Sequence, residues 1–271
     1  MREVPESISL HPLLRRASRG LSHGASRSPW SPRRSPRIER ARIVVIPTRR
    51  LIPCRLDACH DRSMDASHLA PLLTPEGWAL LADLPPYDES TALAVGGSLR
   101  DQGHSPALVS AALTQQRLRG RAAAKFGPFA SRMLFTPEGL EQATRLSVAA
   151  HHAARYERAG AHRVADLGCG IGGDAMALAG LGLEVLAVER DETTAALATV
   201  NLMAFPDVEV VCHDALDLDL AARGVDAVFA DPARRADGRR IADPERWSPA
   251  LSRVLALRED VEALGVKVAP G

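Results

Sequence analysis

The chain has 271 residues, 46% of them hydrophobic, 4% aromatic and 25% charged, with a formal net charge of +1. That length and apolar fraction allow one large domain or two small ones around a core of Leu, Val and Ala, and exclude a low-complexity chain. No apolar run reaches the ~18 residues of a membrane helix, and Cys54, Cys59, Cys169 and Cys212 form no C-x-x-C pair, so a reducing cytoplasm is the expected setting.

The charge is unevenly spread. Residues 1–63 hold 14 arginines, no lysine and five acids, which leaves the rest of the chain net acidic. Lysine occurs only at Lys125 and Lys267, beside 32 arginines. The segment "RRASRGLSHGASRSPWSPRRSPRIERAR" is rich in Arg, Ser and Pro without any sustained period, so 1–63 is expected to be a disordered extension. An organellar transit peptide and a basic nucleic-acid tail share that composition. A start at Met64, with an over-extended reading frame upstream, fits it as well.

Residues 64–160 read as a helical N-terminal domain. "LTPEGWALLADL" and "FTPEGLEQATRLSVAAHHAARY" open alike, with Thr74 and Thr136 as caps, Pro75 and Pro137 at the first helical position, and Glu76 and Glu138 at the positive end of the helix dipole. Ser105-Pro106 opens a third helix through "ALVSAALTQQRLRGRAAAKF".

Residues 161–271 change rhythm. "RVADLG", "LEVLAVE", "VEVVCHD", "DAVFADP" and "LGVKVAP" are five short apolar runs separated by helical stretches, including "LDLAAR" and "WSPALSRVLALREDVEAL". Apolar strands alternating with helices predict an α/β fold with a parallel sheet covered on both faces. The chain stops directly after the fifth run, so the sheet is expected to be incomplete and the chain truncated.

Gly168, Gly170 and Gly173 fit G-x-G-x-x-G, and Glu189 lies where a ribose-binding acid belongs. Read alone, that pattern leaves an NAD-type oxidoreductase open. Asp166, two residues before the first glycine, argues against a pyrophosphate, which needs amide donors and no acid. An acid there suits a ligand bearing an ammonium group.

The run Asp166-Leu167-Gly168-Cys169-Gly170-Ile171-Gly172, with Glu189 ending the second strand, Asp214 following the third and Asp231-Pro232 ending the fourth, resembles the class I methyltransferases that use S-adenosylmethionine (SAM). The resemblance implies a Rossmann-like sheet of order 3-2-1-4-5, and that Asp166, Gly168, Gly170 and Gly172 surround the methionine part. It implies that Glu189 takes the ribose hydroxyls, that Asp214 reads the adenine amino group, and that Asp231 and Pro232 stand at the catalytic position. "LFTPEGLEQAT" is similar to a segment of the trimethylguanosine synthase group and of bacterial methyltransferases carrying a THUMP-like RNA-binding module. On that likeness Phe135 and Thr136 would close over the cofactor and the substrate would be RNA, at a base nitrogen with guanine among the candidates.

Asp231-Pro232-Ala233-Arg234-Arg235 departs from the D-P-P-[YFW] of exocyclic-nitrogen methyltransferases, lacking the second proline and the aromatic. A stacking arginine can substitute for the aromatic in part. D-P-x-R is also similar to the uridine C5 methyltransferases, but those need a cysteine beyond the fourth strand and the last cysteine here is Cys212. A non-catalytic relative that binds SAM and RNA therefore stays open. Arg117, Arg119, Arg121 and Lys125 form one basic cluster and Arg234 and Arg235 begin a second; both are candidate RNA contacts. The histidines show no metal-ligand spacing, so no metal is expected.

Overall fold

A computed structural model describes residues 69–236 and 239–268. The expectation for 1–63, and the side chain of Arg235, lie outside the described residues. The first helices are α1 (Pro75–Asp83), α2 (Ala92–Asp101) and α3 (Pro106–Phe126). Thr74 accepts the Gly77 amide and Ser105 the Leu108 amide, so both Pro-started helices are capped as the sequence predicts. The third such stretch differs. It forms two helices, α4 (Pro137–Gln142) and α5 (Leu146–Ala159), not one. Lys125 explains the break, because its ammonium donates to the carbonyls of Leu140, Glu141 and Ala143 at 2.7, 2.7 and 2.8 Å. Those are carbonyls that an uninterrupted helix would consume internally.

Five strands make the main sheet: β1 (Arg163–Leu167), β2 (Glu184–Glu189), β3 (Val208–Cys212), β4 (Ala227–Ala230) and, after a two-stranded hairpin β5/β6 (Arg235–Ala236 and Arg239–Arg240), β7 (Ala263–Val266). The order is β3-β2-β1-β4-β7, all parallel, which is the 3-2-1-4-5 arrangement of the five apolar runs. Helices α6 (Gly173–Gly180) and α7 (Glu192–Asn201) follow β1 and β2. Three local readings are corrected. "LDLAAR" forms turns, because alternate aspartates bond local amides, as Asp214 with Leu216 and Asp219 with Ala222. The last strand begins at Ala263, one residue before the predicted run. The long stretch before it yields only a short helix, α8 (Leu251–Ala256), and a 3₁₀ turn.

Alternation along the strands divides the packing between the two faces. Val164, Val185, Ala187 and Phe229 join one continuous core with Leu118, Phe126, Phe135 and Ala153 of the helical region. Ala165, Leu167, Leu186, Val188 and Val228 face the other layer, with Val254 of α8. Fully burying a leucine such as Leu167 or Leu186 contributes about 2 kcal/mol. On the first face Tyr156 of α5 donates its buried hydroxyl to the Val228 carbonyl at 2.7 Å. Gly265 allows that approach, since a Cβ there would collide with the hydroxyl.

Candidate active site

The strand order reverses between β2–β1 and β1–β4, and a cleft of about 610 Å³ opens there at the carboxyl ends of the strands. Such a switch point is where open α/β sheets hold ligands, and the volume is that of a small-molecule site. Its floor is the turn after β1. Gly168, Gly170 and Gly172 have φ of 80°, 56° and 91°, a region that side-chain-bearing residues rarely occupy. The Gly168 and Cys169 amides both donate to the Val188 carbonyl, and the Gly170 amide donates to Glu189 Oε2 at 3.1 Å. Glu189 Oε1 accepts the Asp191 amide at 3.0 Å. One carboxylate thus fixes the glycine turn and the start of α7 together.

Asp166 is 1% exposed and lines the cleft, and its Oδ2 has no hydrogen-bond partner. Burial pushes its carboxyl well above the usual range, the charges of Asp174, Asp231 and Glu189 push it further, and the Ala175 amide opposes them. An orphaned buried carboxylate oxygen is costly unless a ligand completes it. An ammonium group would complete it, and a pyrophosphate would aggravate it. The neighbouring acids are already partnered. Asp174 meets His152 Nδ1 at 3.0 Å, and Asp231 Oδ2 meets the Lys267 ammonium at 2.5 Å.

The other expected residues sort as follows. Glu189, Asp214 and Asp231 line the cleft with Asp166, Gly168, Gly170 and Thr136. Asp214 is exposed, its Oδ1 accepting the Leu216 amide at 3.0 Å. Thr136 caps α4 through the Gly139 amide. Phe135 does not close over the cleft: it is 0% exposed, its ring lies 5.7 Å from that of Phe126, and Gln115 pairs with both its amide and its carbonyl. Its apolar ring is worth more in the core than over a polar cleft. Pro232 is buried and Gly172 packs on Leu202, and neither lines the cleft.

The first basic cluster dissolves. Arg117 and Arg121 are exposed, but Arg119 is buried, donating to the Met133 and Leu81 carbonyls, and desolvation brings its guanidinium down to about 10. Lys125 is spent on the carbonyls after α4. In the second cluster Arg234 Nη2 lies 3.9 Å from Asp231 Oδ1, and its guanidinium stands 5.9 Å from the centre of the Trp247 ring. Trp247, Arg190, Thr144 and Arg253 also line the cleft and carry no sequence motif. Lys267 stands out in the sequence only by its rarity, and its place beside Asp231 has no motif. Cys169 is buried, which pushes its thiol well up, so it serves the turn as a small side chain.

Residues 164–256 match the family described as a methyltransferase domain, and residues 65–122 match a Domain of unknown function (DUF8688). Sheet, glycine turn and cleft have the arrangement of the class I SAM-dependent methyltransferase fold over the residues that match the methyltransferase domain. The chain is 34% identical over 159 residues to an uncharacterized S-adenosylmethionine-dependent methyltransferase of Mycobacterium tuberculosis, covering 57% of this chain and 43% of that one. It spans less than half the length of that relative. A proposed methyltransferase of Porphyromonas gingivalis W83 aligns with 22% identity and a TM-score of 0.41 over 56% of this chain and 43% of that one. A proposed RNA methyltransferase of Pyrococcus horikoshii aligns with 25% identity and a TM-score of 0.34 over 48% and 64%. Among the described residues no helix is long and apolar enough to cross a membrane.

Proposed function

We propose that this chain transfers a methyl group from SAM to a nitrogen of an RNA base, guanine being the first candidate. One observation carries the cofactor part: the unpartnered Oδ2 of buried Asp166 in the cleft. In this reading Asp166 takes the cofactor's ammonium, Glu189 the ribose hydroxyls through its remaining lone pairs, and Asp214 the adenine amino group. Gly168 and Gly170 let the ligand approach the backbone, and Thr136 contributes to the wall.

Bound there, SAM supplies a methyl group on a sulfonium, and the C–S electron pair stays on sulfur when the acceptor nitrogen takes the methyl. The protein's own part is positioning and electrostatics. Asp231 Oδ1 accepts the hydrogen of the target N–H, orienting the lone pair, and receives the proton that nitrogen sheds once the N–C bond has formed. Arg234 beside Trp247 offers a planar cationic surface next to Asp231, which supports a flat, anionic-backboned acceptor such as RNA. Exposed Arg253 and Arg190 at the same cleft support the phosphate part.

Calorimetric titration with SAM and with NADH separates this reading from the dinucleotide one; tight NADH binding would sink it. Incubation of total RNA with methyl-labelled SAM, then nucleoside analysis, identifies the acceptor. The absent second proline and aromatic after Asp231 favour a second reading, a non-catalytic SAM- and RNA-binding protein. Binding without any transfer would select it.

A further inference from the structure

Lys267 is the first residue beyond β7, as Asp231 is the first beyond β4. The parallel register that pairs Ala230 with Val266 sets the two side by side, and the Lys267 amide donates to the Ala230 carbonyl at 2.8 Å. Its ammonium donates to Asp231 Oδ2 at 2.5 Å and to Thr144 Oγ1 at 2.9 Å. Asp231 and Thr144 both line the cleft. The ammonium therefore links the acid after β4 to the segment after α4.

That segment is held from two sides. Lys125 grips the carbonyls of Leu140, Glu141 and Ala143, and Lys267 grips Thr144. These are the only lysines in a chain with 32 arginines. Both do what a compact ammonium with three freely placed donors can do and a planar guanidinium cannot. Further back, Leu134 is paired through both its backbone groups with Asn201, which also bonds the Ile171 carbonyl of the glycine turn. The strap Leu134–Thr144 is thus tied to the cofactor turn at one end and to Asp231 at the other.

We propose that Lys267 is a positioning residue for the transfer: it holds Asp231 by Oδ2, so that Oδ1 is presented to the acceptor, and it couples that orientation to the strap walling the cofactor. Arg234, 3.9 Å from Oδ1, is beyond hydrogen-bond length and leaves that oxygen free to accept. Lys267 neither gains nor loses a proton in the step. The inference rests on the methyl-transfer reading above, and its test has one arm that needs no acceptor.

Hydrogen exchange over 136–144 and 231–234 is compared with and without SAM in the wild type, Lys267→Met and Lys267→Ala. In the wild type SAM should slow exchange in both segments; in either variant it should slow the strap and leave 231–234 unprotected. Equal protection of both segments in the variants overturns the proposal, whatever the substrate. Where RNA is methylated, Lys267→Met should lower kcat tenfold or more while the SAM dissociation constant stays within twofold, and ethylammonium should restore part of the rate of Lys267→Ala. An unchanged kcat overturns it. Failure of the wild type to methylate any RNA defeats the substrate reading alone, and the exchange comparison still decides Lys267.

Discussion

Glu189 and Gly170 are joined across the floor of the cleft, the Gly170 amide donating to Glu189 Oε2 at 3.1 Å while Oε1 takes the Asp191 amide. The acid expected to hold the ribose therefore also shapes the turn that receives the cofactor. Glu189→Ala should lower SAM affinity at least tenfold, since charge-assisted hydrogen bonds contribute roughly 1.5–3 kcal/mol each. It should also destabilise the protein without ligand by about 1–3 kcal/mol, because two backbone donors lose their acceptor. Calorimetry and thermal melting read the two effects. A loss of affinity with an unchanged melting temperature would show that the turn holds its shape without Glu189.

Asp166 should make the protein less stable and more competent at once. Its carboxyl is raised above the usual range by burial and by Asp174, Asp231 and Glu189, so ionisation is disfavoured in the folded state. For a raised pKa, the relative stability is fully present below the unfolded value, near 4, and is lost as pH rises through the folded value. Asp166→Asn should therefore raise the melting temperature of the ligand-free protein at neutral pH, with the gain fading on acidification towards pH 4. The same variant should bind SAM at least tenfold more weakly. In the wild type, binding of an ammonium favours the ionised acid, so calorimetry in buffers of different ionisation heat should detect proton release. A variant less stable than wild type at neutral pH would contradict the assignment.

Most of the sheet was legible because its central strands β1, β2 and β4 are buried on both faces and read as continuous apolar runs, and because Glu189, Asp214 and Asp231 end or follow strands. What was illegible depends on long-range partners. Lys125 breaks the helix after Thr136 from a position at the end of α3, and nothing local in "LEQATRL" announces it. Phe135 lies next to a cleft residue in sequence but points into the core, where Gln115 and Phe126 meet it. Lys267 reaches Asp231 only through the β4–β7 register, so no motif could contain both.

The basic residues should divide into structural and surface groups. Arg119→Met should cost about 1–3 kcal/mol, since buried carbonyls lose their donors, and Lys125→Met about 1 kcal/mol, since its carbonyls are only partly buried. Neither should change the salt dependence of RNA affinity. Arg253→Glu, on an exposed side chain at the cleft, should leave stability within about 0.5 kcal/mol and reduce the slope of log affinity against log salt. Filter binding at several salt concentrations distinguishes the groups. An unchanged slope for Arg253→Glu would remove this rim from the RNA surface.

The glycine after the Thr136 cap should control the fit of the strap on the turn. A Cβ at Gly139 would stand 2.7 Å from Ile171 Cγ2 and 2.8 Å from Thr136 Oγ1, so strap and turn would have to separate. Gly139→Ala should cost roughly 1–3 kcal/mol, the usual range for overpacking, and weaken SAM binding through the displaced turn. Gly103, where a Cβ meets open space, is the control for the added methyl, although its φ of 93° carries a cost of its own. Wild-type SAM affinity in Gly139→Ala would separate the strap from the cofactor site.

Asp231 and Asp166 should fail differently. They leave adjacent parallel strands, Asp166 facing Phe229 within the β1–β4 register and Asp231 one residue past its end. Asp166 is buried with an unmet oxygen, whereas Asp231 is partly exposed and already neutralised by Lys267. Removing the first leaves a bound ammonium without its counter-charge, so Asp166→Ala should lose both cofactor binding and transfer. Removing the second takes no partner from the cofactor, so Asp231→Asn should hold SAM within about twofold of wild type. It should slow transfer by about 10²–10⁴, the range for a lost proton acceptor. An amide keeps the shape, but its single oxygen stays with Lys267 and its NH2, a donor, then faces the target N–H where Oδ1 had accepted. Single-turnover transfer at saturating SAM isolates that step from binding. Transfer at the wild-type rate in Asp231→Asn would move the chemistry elsewhere in the cleft, and a matching loss of SAM affinity would make Asp231 a cofactor residue.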